Sequence, residues 1–259
     1  MKVPGIRITA LVSAWFLFMS SGLLHATQPQ RLAADRPGFA WGTHTVTPGS
    51  FYLETGFQYS FFNDSHFSNY SSVPVFNLRI GIVNNLELFV SWDGWDIYHQ
   101  RNENGINTDN HDLNLPLLGV KYKLVTAEYF TFTLLGLLEG NDDEGSFTVD
   151  PSLALLWDYS LTDNLELFGM AQAGTISASS GSEMSYSFAV GVGFPIAEKI
   201  EAFAEYFNMY NSISKKIYHG NEVGILFFLN DNIQLDVFGG YSYGKHWPHY
   251  LGAGFSQRF

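Results

Sequence analysis

The 259-residue sequence contains no cysteine, which excludes disulfide scaffolds, thiolate metal sites and cysteine nucleophiles. Basic residues are also scarce, since 13 Lys and Arg face 25 Asp and Glu and the net charge is −12. Nucleic-acid binding needs a basic surface for phosphates, so no nucleic-acid partner is expected. No internal apolar run reaches the roughly 20 residues of a membrane helix, which excludes a helical membrane bundle.

Aromatic residues and glycine are abundant instead. Aromatics make up 17% of the chain, with 23 Phe and 14 Tyr, and there are 25 glycines. Aromatic side chains favour strands over helices. The composition therefore favours an all-β protein.

The first 26 residues have the pattern of a secretory signal peptide. Lys2 and Arg7 precede an apolar run of about a dozen residues, which is too short to span a bilayer, and Ala26 ends a plausible cleavage site. Residues 1–26 are therefore predicted to direct export, with an uncleaved N-terminal anchor as the alternative.

A two-residue periodicity dominates the rest of the chain. In segments 51–61, 147–161 and 184–194, apolar side chains alternate with small or polar ones. Alternate residues of a strand point to opposite faces, so one face suits lipid and the other suits water. Leu113 and Leu118 have opposite parity on either side of Pro116, which predicts a bulge in the fourth strand.

Short Asn- and Asp-rich turns separate the strands in pairs, and longer polar stretches, of which 94–112 is the longest, connect the other ends. Four turns have this chemistry and a fifth, at 125–129, is weaker. The sequence predicts an all-β fold, a twelve-stranded antiparallel transmembrane β-barrel over residues 50–259, with short periplasmic turns and longer extracellular loops. A soluble β-sandwich is the alternative. The predicted strands begin near residues 50, 73, 86, 113, 129, 147, 165, 184, 200, 221, 233 and 249.

The segment before the first predicted strand and the end of the last strand also bear on the interpretation as an outer-membrane barrel. Residues 27–49 are polar and rich in proline, so they are expected either to remain in the periplasm or to fold into the lumen as a plug. The last strand ends at Phe259, and a terminal aromatic residue resembles the signal read by the bacterial barrel assembly machinery. The expected partners are that machinery, outer-membrane lipid and lipopolysaccharide, and a small-molecule solute. The expected location is the cell outer membrane.

The residues whose position in the alternation places them on the inward face are the candidates for lining a solute pathway. Eleven acids and four bases fall on the inward face, so the lumen is expected to disfavour anions. Several inward Phe residues predict a constricted interior, in which the rings either fill a narrow barrel or provide stepping sites for an apolar solute. The candidate lumen-lining residues are Phe89, Phe168, Phe203, Phe207, Phe228, Phe238, Glu87, Glu166, Glu201, Arg79, Lys121 and Arg258.

Several motifs of the chain resemble a family of outer-membrane transporters associated with the phenol-degradation meta-pathway. The resemblance implies a barrel in the outer membrane and uptake of aromatic compounds. The motifs that carry it are Asp35-Arg36-Pro37, Pro48-Gly49, Leu53-Glu54-Thr55-Gly56-Phe57, Leu78-Arg79-Ile80-Gly81, Gly119-Val120-Lys121-Tyr122-Lys123-Leu124 and the ending Gly252-Ala253-Gly254-Phe255-Ser256-Gln257-Arg258-Phe259.

The sequence does not favour an enzymatic or a metal site. His66-Phe67-Ser68-Asn69 resembles the core of lipid A deacylases but falls in a predicted loop, whereas that chemistry needs a serine and histidine fixed on a strand. Loop acids at 109–112 and 141–144 could bind Ca²⁺ or Mg²⁺, although solvated acids are the simpler interpretation. The sequence thus predicts no catalytic residue, no metal and no cofactor. The predicted function is a channel for small, hydrophobic or aromatic solutes; a structural barrel is the alternative, and a lipid-modifying hydrolase comes third.

Overall fold

A computed structural model describes residues 31–62, 69–101, 107–143, 146–178, 181–213, 215–244 and 247–259. Leu32–Phe259 forms one compact unit. Within the described ranges no helix has the length and apolar character to cross a membrane. The predicted signal peptide, residues 1–26, lies outside the described residues. The strands are β1 (Phe51–Phe61), β2 (Asn69–Val83), β3 (Leu86–Trp92), β4 (Trp95–Arg101), β5 (Asn107–Leu113), β6 (Leu117–Thr126), β7 (Phe130–Asp143), β8 (Ser146–Thr162), β9 (Leu165–Ala178), β10 (Gly181–Ala197), β11 (Ile200–Asn211), β12 (Ile217–Asn230), β13 (Ile233–Ser242) and β14 (His249–Arg258).

Twelve of these strands form a closed antiparallel barrel, which confirms the predicted fold class. The wall runs through β1, β2, β3 and then β6 to β14, and β14 pairs with β1 to close it. At this seam the Phe51 amide donates to the Phe259 carbonyl over 3.2 Å, and the Phe259 amide donates back over 2.9 Å. Closure pairs the two edges of the sheet, as a strand wall in hydrocarbon requires.

Five tight turns lie at one end of the barrel, here called the tight-turn end. The longest connections lie at the other end, the long-loop end, although only two residues separate β7 from β8 and β9 from β10 there. In each tight hairpin the strand before the turn carries one extra residue, as between Gly81 and Val83 in β2. Asn85 has φ 69°, a left-handed conformation that Asn tolerates better than most residues. The Asn- and Asp-rich motifs therefore mark real turns.

The long connection at residues 94–112 is more ordered than predicted. Trp95–Arg101 and Asn107–Leu113 form a hairpin, β4 and β5, that extends the sheet from the first residues of β2. The ring of Trp95 contacts that of Trp92 edge-on at 5.1 Å. The bulge predicted near Pro116 is wrong, because Leu113 ends β5 and β6 begins only at Leu117. The change of parity marks a boundary between two strands.

Alternation of side chains separates a lipid face from a buried interior. In β8, Phe147 and Leu153 expose 67% and 56% of their surface, whereas Ala154 and Leu156 expose 1% and 0%. The buried apolar residues form a cluster inside the wall, to which Phe89 and Phe207 contribute. The interior is thus packed as a core and is not a wide aqueous pore.

Candidate functional site

The chain ahead of β1 lies against inward-facing side chains of the wall. The Leu32 amide donates to the Asp231 carbonyl over 2.8 Å, at the turn between β12 and β13. On the way back, the Val46 amide donates to Glu87 Oε2 over 2.8 Å, and Pro48 forms a bridge with Gly81 of β2. Residues 32–48, the lumen segment, therefore start and finish at the tight-turn end.

The apex of the lumen segment reaches β11. The backbone amides of Phe39 and Ala40 both donate to the carboxylate of Glu205, with 3.2 Å from Ala40 to Oε2. The Phe39 ring stacks on Phe207 with 4.6 Å between centroids. One wall carboxylate and one wall ring thus fix the turn of the segment.

An ion-pair cluster holds the base of the lumen segment. Arg79 of β2 exposes none of its side chain and contacts three carboxylates: Glu87 at 2.8 Å, Glu54 at 3.0 Å and Asp35 at 3.2 Å. Glu87 and Glu54 belong to the wall, whereas Asp35 belongs to the segment. The guanidinium therefore links the segment to β1, β2 and β3.

Backbone carbonyls of the segment accept the remaining hydrogen bonds of Arg79. Its Nη1 donates to the Ala33 carbonyl over 3.0 Å and its Nη2 to the His44 carbonyl over 2.8 Å. Together with Glu54 and both oxygens of Glu87, these carbonyls give each of the five N–H groups an acceptor. A buried arginine this fully bonded orders both limbs of the segment.

Lys121 of β6 binds the same segment from the opposite side. Its Nζ lies 2.5 and 2.6 Å from the two oxygens of Asp35 and donates to the Gly42 carbonyl over 2.9 Å. It also lies 5.7 Å from the centroid of Trp41 and 5.9 Å from that of Phe89. Asp35 is thus shared by two buried cations, which explains why an acid stands at this position.

Arg36 reaches the seam between the first and last strands. Its Nη2 contacts Asp236 Oδ1 at 3.5 Å and donates to the Ala253 carbonyl over 3.4 Å. Gly56 and Gly254 face each other across the seam, and a Cβ on either would overlap the guanidinium. The two glycines therefore make the space in which Arg36 lies against the wall.

The return limb is held by β7 and β8. The Thr43 hydroxyl donates to Asp158, and the Thr133 hydroxyl donates to the Thr43 carbonyl over 2.7 Å. Burial lowers the pKa of the neighbouring His44 from 6.5 to about 4, and repulsion by Lys123 adds to this. His44 is therefore neutral near pH 7, and its carbonyl faces Arg79 without added positive charge on the ring.

A cavity of about 490 Å³ lies between the lumen segment and the long-loop end. Residues 35–41 of the segment line one side of it, and Trp247, between β13 and β14, lines another. The polar lining includes Asn77, Asp93 and Glu222. Its rings are those of Phe39, Trp41, Phe207, Phe238, Trp247 and Tyr250, besides Phe76. Apolar rings with a few polar groups are typical of pockets for small organic molecules.

The inward aromatic residues follow a second pattern that parity alone did not indicate. Six of them pack on a glycine directly across on the neighbouring strand, at a distance that a Cβ would not permit. A ring lying over a glycine covers the exposed backbone and stays flat against the wall. The pairs are Phe89 with Gly119, Phe168 with Gly191, Phe203 with Gly224, Phe207 with Gly220, Phe238 with Gly252 and Tyr250 with Gly240.

The structure brings only part of the predicted lumen-lining set to the cavity. Phe207 and Phe238 line it, while Phe89, Arg79, Lys121 and Glu87 lie at the lumen segment instead. Five more of the predicted residues are not among the residues that line the cavity. These are Phe168, Phe203, Phe228, Glu166 and Glu201.

Arg258, the last predicted residue, lies at the tight-turn end. Its Nε donates to Asn232 Oδ1 over 2.8 Å, in the turn between β12 and β13. It is therefore part of a turn contact and not of the cavity.

Sequence reasoning missed Trp41 and Tyr250 as cavity residues. Tyr250 could have been found, because it has the parity opposite to lipid-facing Leu251. No periodicity marks Trp41, which lies in irregular chain.

The metal and hydrolase candidates of the sequence lie only partly within the described residues. Within the described ranges no group of three His, Asp or Glu residues could hold a metal ion. Of the candidate motifs, 63–68 with His66 and Ser68 and also Glu144 lie outside the described residues.

Comparisons with known proteins show the fold. No protein-family model matches the chain, and no curated protein matches its sequence. Among solved structures, an outer membrane channel from Pseudomonas putida F1 is similar with a TM-score of 0.61 at 13% identity, covering 86% of this chain and 99% of that one. The NanC porin is similar with a TM-score of 0.56 at 11% identity (80% and 98% covered), and the KdgM porin with 0.52 at 10% (80% and 99%). The chain thus has the fold of porin-like outer-membrane barrels.

Proposed function

We propose that the protein is an outer-membrane channel that admits small, largely apolar or aromatic solutes by passive or facilitated diffusion. The observation that carries this proposal is the cavity of about 490 Å³ between the lumen segment and the long-loop end, with its lining of aromatic rings. In this proposal the cavity receives the solute and the lumen segment sets the constriction below it. No catalytic residue takes part, and lipopolysaccharide and the assembly machinery, through Phe259, are the partners.

A structural barrel without transport is the second candidate. The packed cluster inside the wall, which includes Leu135, Leu156 and Met170 at 0 to 2% exposure, favours it because no solute passes through a filled core. The two functions differ in whether the lumen segment can be loosened to yield a conducting path.

Conductance of the purified protein in a planar bilayer separates the two functions. We expect small, cation-preferring currents that phenol reduces, because the inward face carries more acids than bases. Asp35→Ala removes the carboxylate shared by Arg79 and Lys121, so the segment should loosen and the conductance should rise. Asp163→Ala, an acid exposed at the turn between β8 and β9, is the control and should leave the current unchanged. An inserted barrel that is silent with and without Asp35 would support the structural function.

A further inference from the structure

We infer that the cavity above the lumen segment binds a small organic cation, an ammonium group carried on a compact aromatic or aliphatic body. The inference rests on the proposed channel function and specifies the class of its solute. It is drawn from unpartnered buried oxygen atoms, from the balance of charge at the cavity and from the arrangement of the rings.

Glu222 of β12 is the first observation. It exposes 3% of its surface and lines the cavity. The Tyr250 hydroxyl donates to its Oε2 over 2.5 Å, whereas its Oε1 has no donor among the described residues. A buried carboxylate oxygen without a donor is costly, and a ligand N–H group would remove that cost.

Asn77 of β2 adds a second free acceptor. It exposes 5% of its surface, lines the same cavity, and its Oδ1 has no donor in the part of the chain that the structure describes. An ammonium group has three donors and no acceptor, so it is suited to a lining whose free polar atoms are oxygens that need a hydrogen. A carboxylate or phosphate ligand would leave both oxygens without a partner.

The charges at the cavity also favour a cation. Arg36 is the basic residue of the lining, and Asp236 neutralises it at 3.5 Å. Its unpartnered Nε lies where a Cβ of Gly254 would overlap it, so this donor is turned to the wall. Neither Glu222 nor Asp93 forms an ion pair in the part of the chain that the structure describes, so both carboxyl groups of the lining can take a cationic ligand as their partner.

The aromatic rings of the lining add a second kind of attraction for a cation. The face of an aromatic ring attracts a cation, most strongly where water is excluded. Rings of this lining already face cations of the chain, since Arg36 lies 5.6 Å from the Phe238 centroid and Lys121 lies 5.7 Å from that of Trp41. A cation at Glu222 would therefore find an apolar lining able to hold its body.

Three ligands with the same body and different charge test the inference. Calorimetric titration of the purified protein in detergent would compare 2-phenylethylamine, 2-phenylethanol and phenylacetate, which are cationic, neutral and anionic at pH 7. We expect the amine to bind about tenfold or more tightly than the alcohol, as a desolvated ion pair with cation–π contact would give. We expect phenylacetate to bind most weakly.

The matched variants locate the charge effect. Glu222→Gln keeps the size of the side chain and removes its charge, so it should abolish the advantage of the amine over the alcohol. Asp150→Asn removes another buried inward acid, which bonds to Ser177 and is not part of the lining, and should preserve that advantage. Heat-dependent gel mobility would verify that both variants are folded.

Each outcome decides between the two proposals. Equal binding of amine and alcohol, or an equal loss in both variants, would overturn the cation site and leave the channel for apolar solutes intact. No binding by any of the three would also overturn it, while conductance would still test the channel. Tight amine binding to a silent barrel would support the cation site and contradict the channel.

Discussion

Arg79 is a residue on which the interior depends, because it contacts three carboxylates without access to water. Arg79→Met would leave Glu54, Glu87 and Asp35 close together with Lys121 as the nearest remaining cation. Breaking a buried pair by removing one partner costs about 3 to 5 kcal/mol. We expect the free energy of unfolding to fall by that amount, measured by urea titration of the barrel in lipid vesicles.

Arg258→Met is the control for that experiment. Its guanidinium bonds to Asn232 at the tight-turn end, where solvent screens charge, so the loss should stay within about 1 kcal/mol. Similar losses for Arg79 and Arg258 would contradict the role assigned to the buried cluster.

His44 makes the seating of the lumen segment depend on pH. The pKa of His44 is about 4 when seated, because burial and Lys123 disfavour its charged form, and near 6.5 when released. As pH falls from 6.5 towards 4, the released state takes up a proton that the seated state does not, so the seated state loses stability, by up to about 3 kcal/mol. Above pH 6.5, His44 is neutral in both states and the bound state of the lumen segment has its full stability.

Hydrogen exchange of residues 32–48 would measure this dependence. In the natural sequence, the exchange rate of these residues relative to their intrinsic rate should rise as the pH is lowered from 7 to 5. His44→Gln should remove the difference between the two pH values. A dependence that survives this substitution would assign the effect to another group.

The sequence could place wall residues but not their partners. Parity put Arg79, Glu87 and Lys121 on the inward face because a strand fixes the side of each residue. The contacts of Asp35 and Thr43 with that wall arise in irregular chain with no period. Whether the segment stayed in the periplasm or entered the lumen was therefore undecided by sequence.

At the scale of the strand, the two faces of β8 give a direct test. Leu153 is exposed on the outer face, whereas Ser152 points inward. Arginine on the lipid face near the midplane costs about 2 to 4 kcal/mol. Leu153→Arg should therefore lower the free energy of unfolding far more than Ser152→Arg, measured in the same vesicles. Equal losses would contradict the assignment of faces.

The hairpin of β4 and β5 could not be predicted from the alternation of polar and apolar residues. Strand pairing there lies beyond the wall, so neither face is selected by lipid and polar residues such as Asp96 and His111 are tolerated. Without a buried face the alternation that marks a strand is weak. The twelve wall strands were predictable because the bilayer imposes that alternation.

At the scale of the whole molecule, the barrel combines an apolar exterior with a strongly acidic chain. The acids concentrate inside, where Arg79, Lys121 and Arg36 neutralise those near the lumen segment. Among the described residues, Glu222 and Asp93 of the cavity form no ion pair. The charge count of the sequence predicted a lumen that disfavours anions, and the structure adds where the bases lie, which is at the lumen segment.

The contacts of the lumen segment also bear on the order in which the parts of the barrel assemble. It binds Glu54 near the start of the barrel and Asp236 near its end, so its contacts are complete only when the last strands have been added. A wall already closed would admit it only by threading from the tight-turn end. Unless it threads in this way, the leading part of the chain stays within the growing sheet while later hairpins join, and the seam of β1 and β14 closes around it.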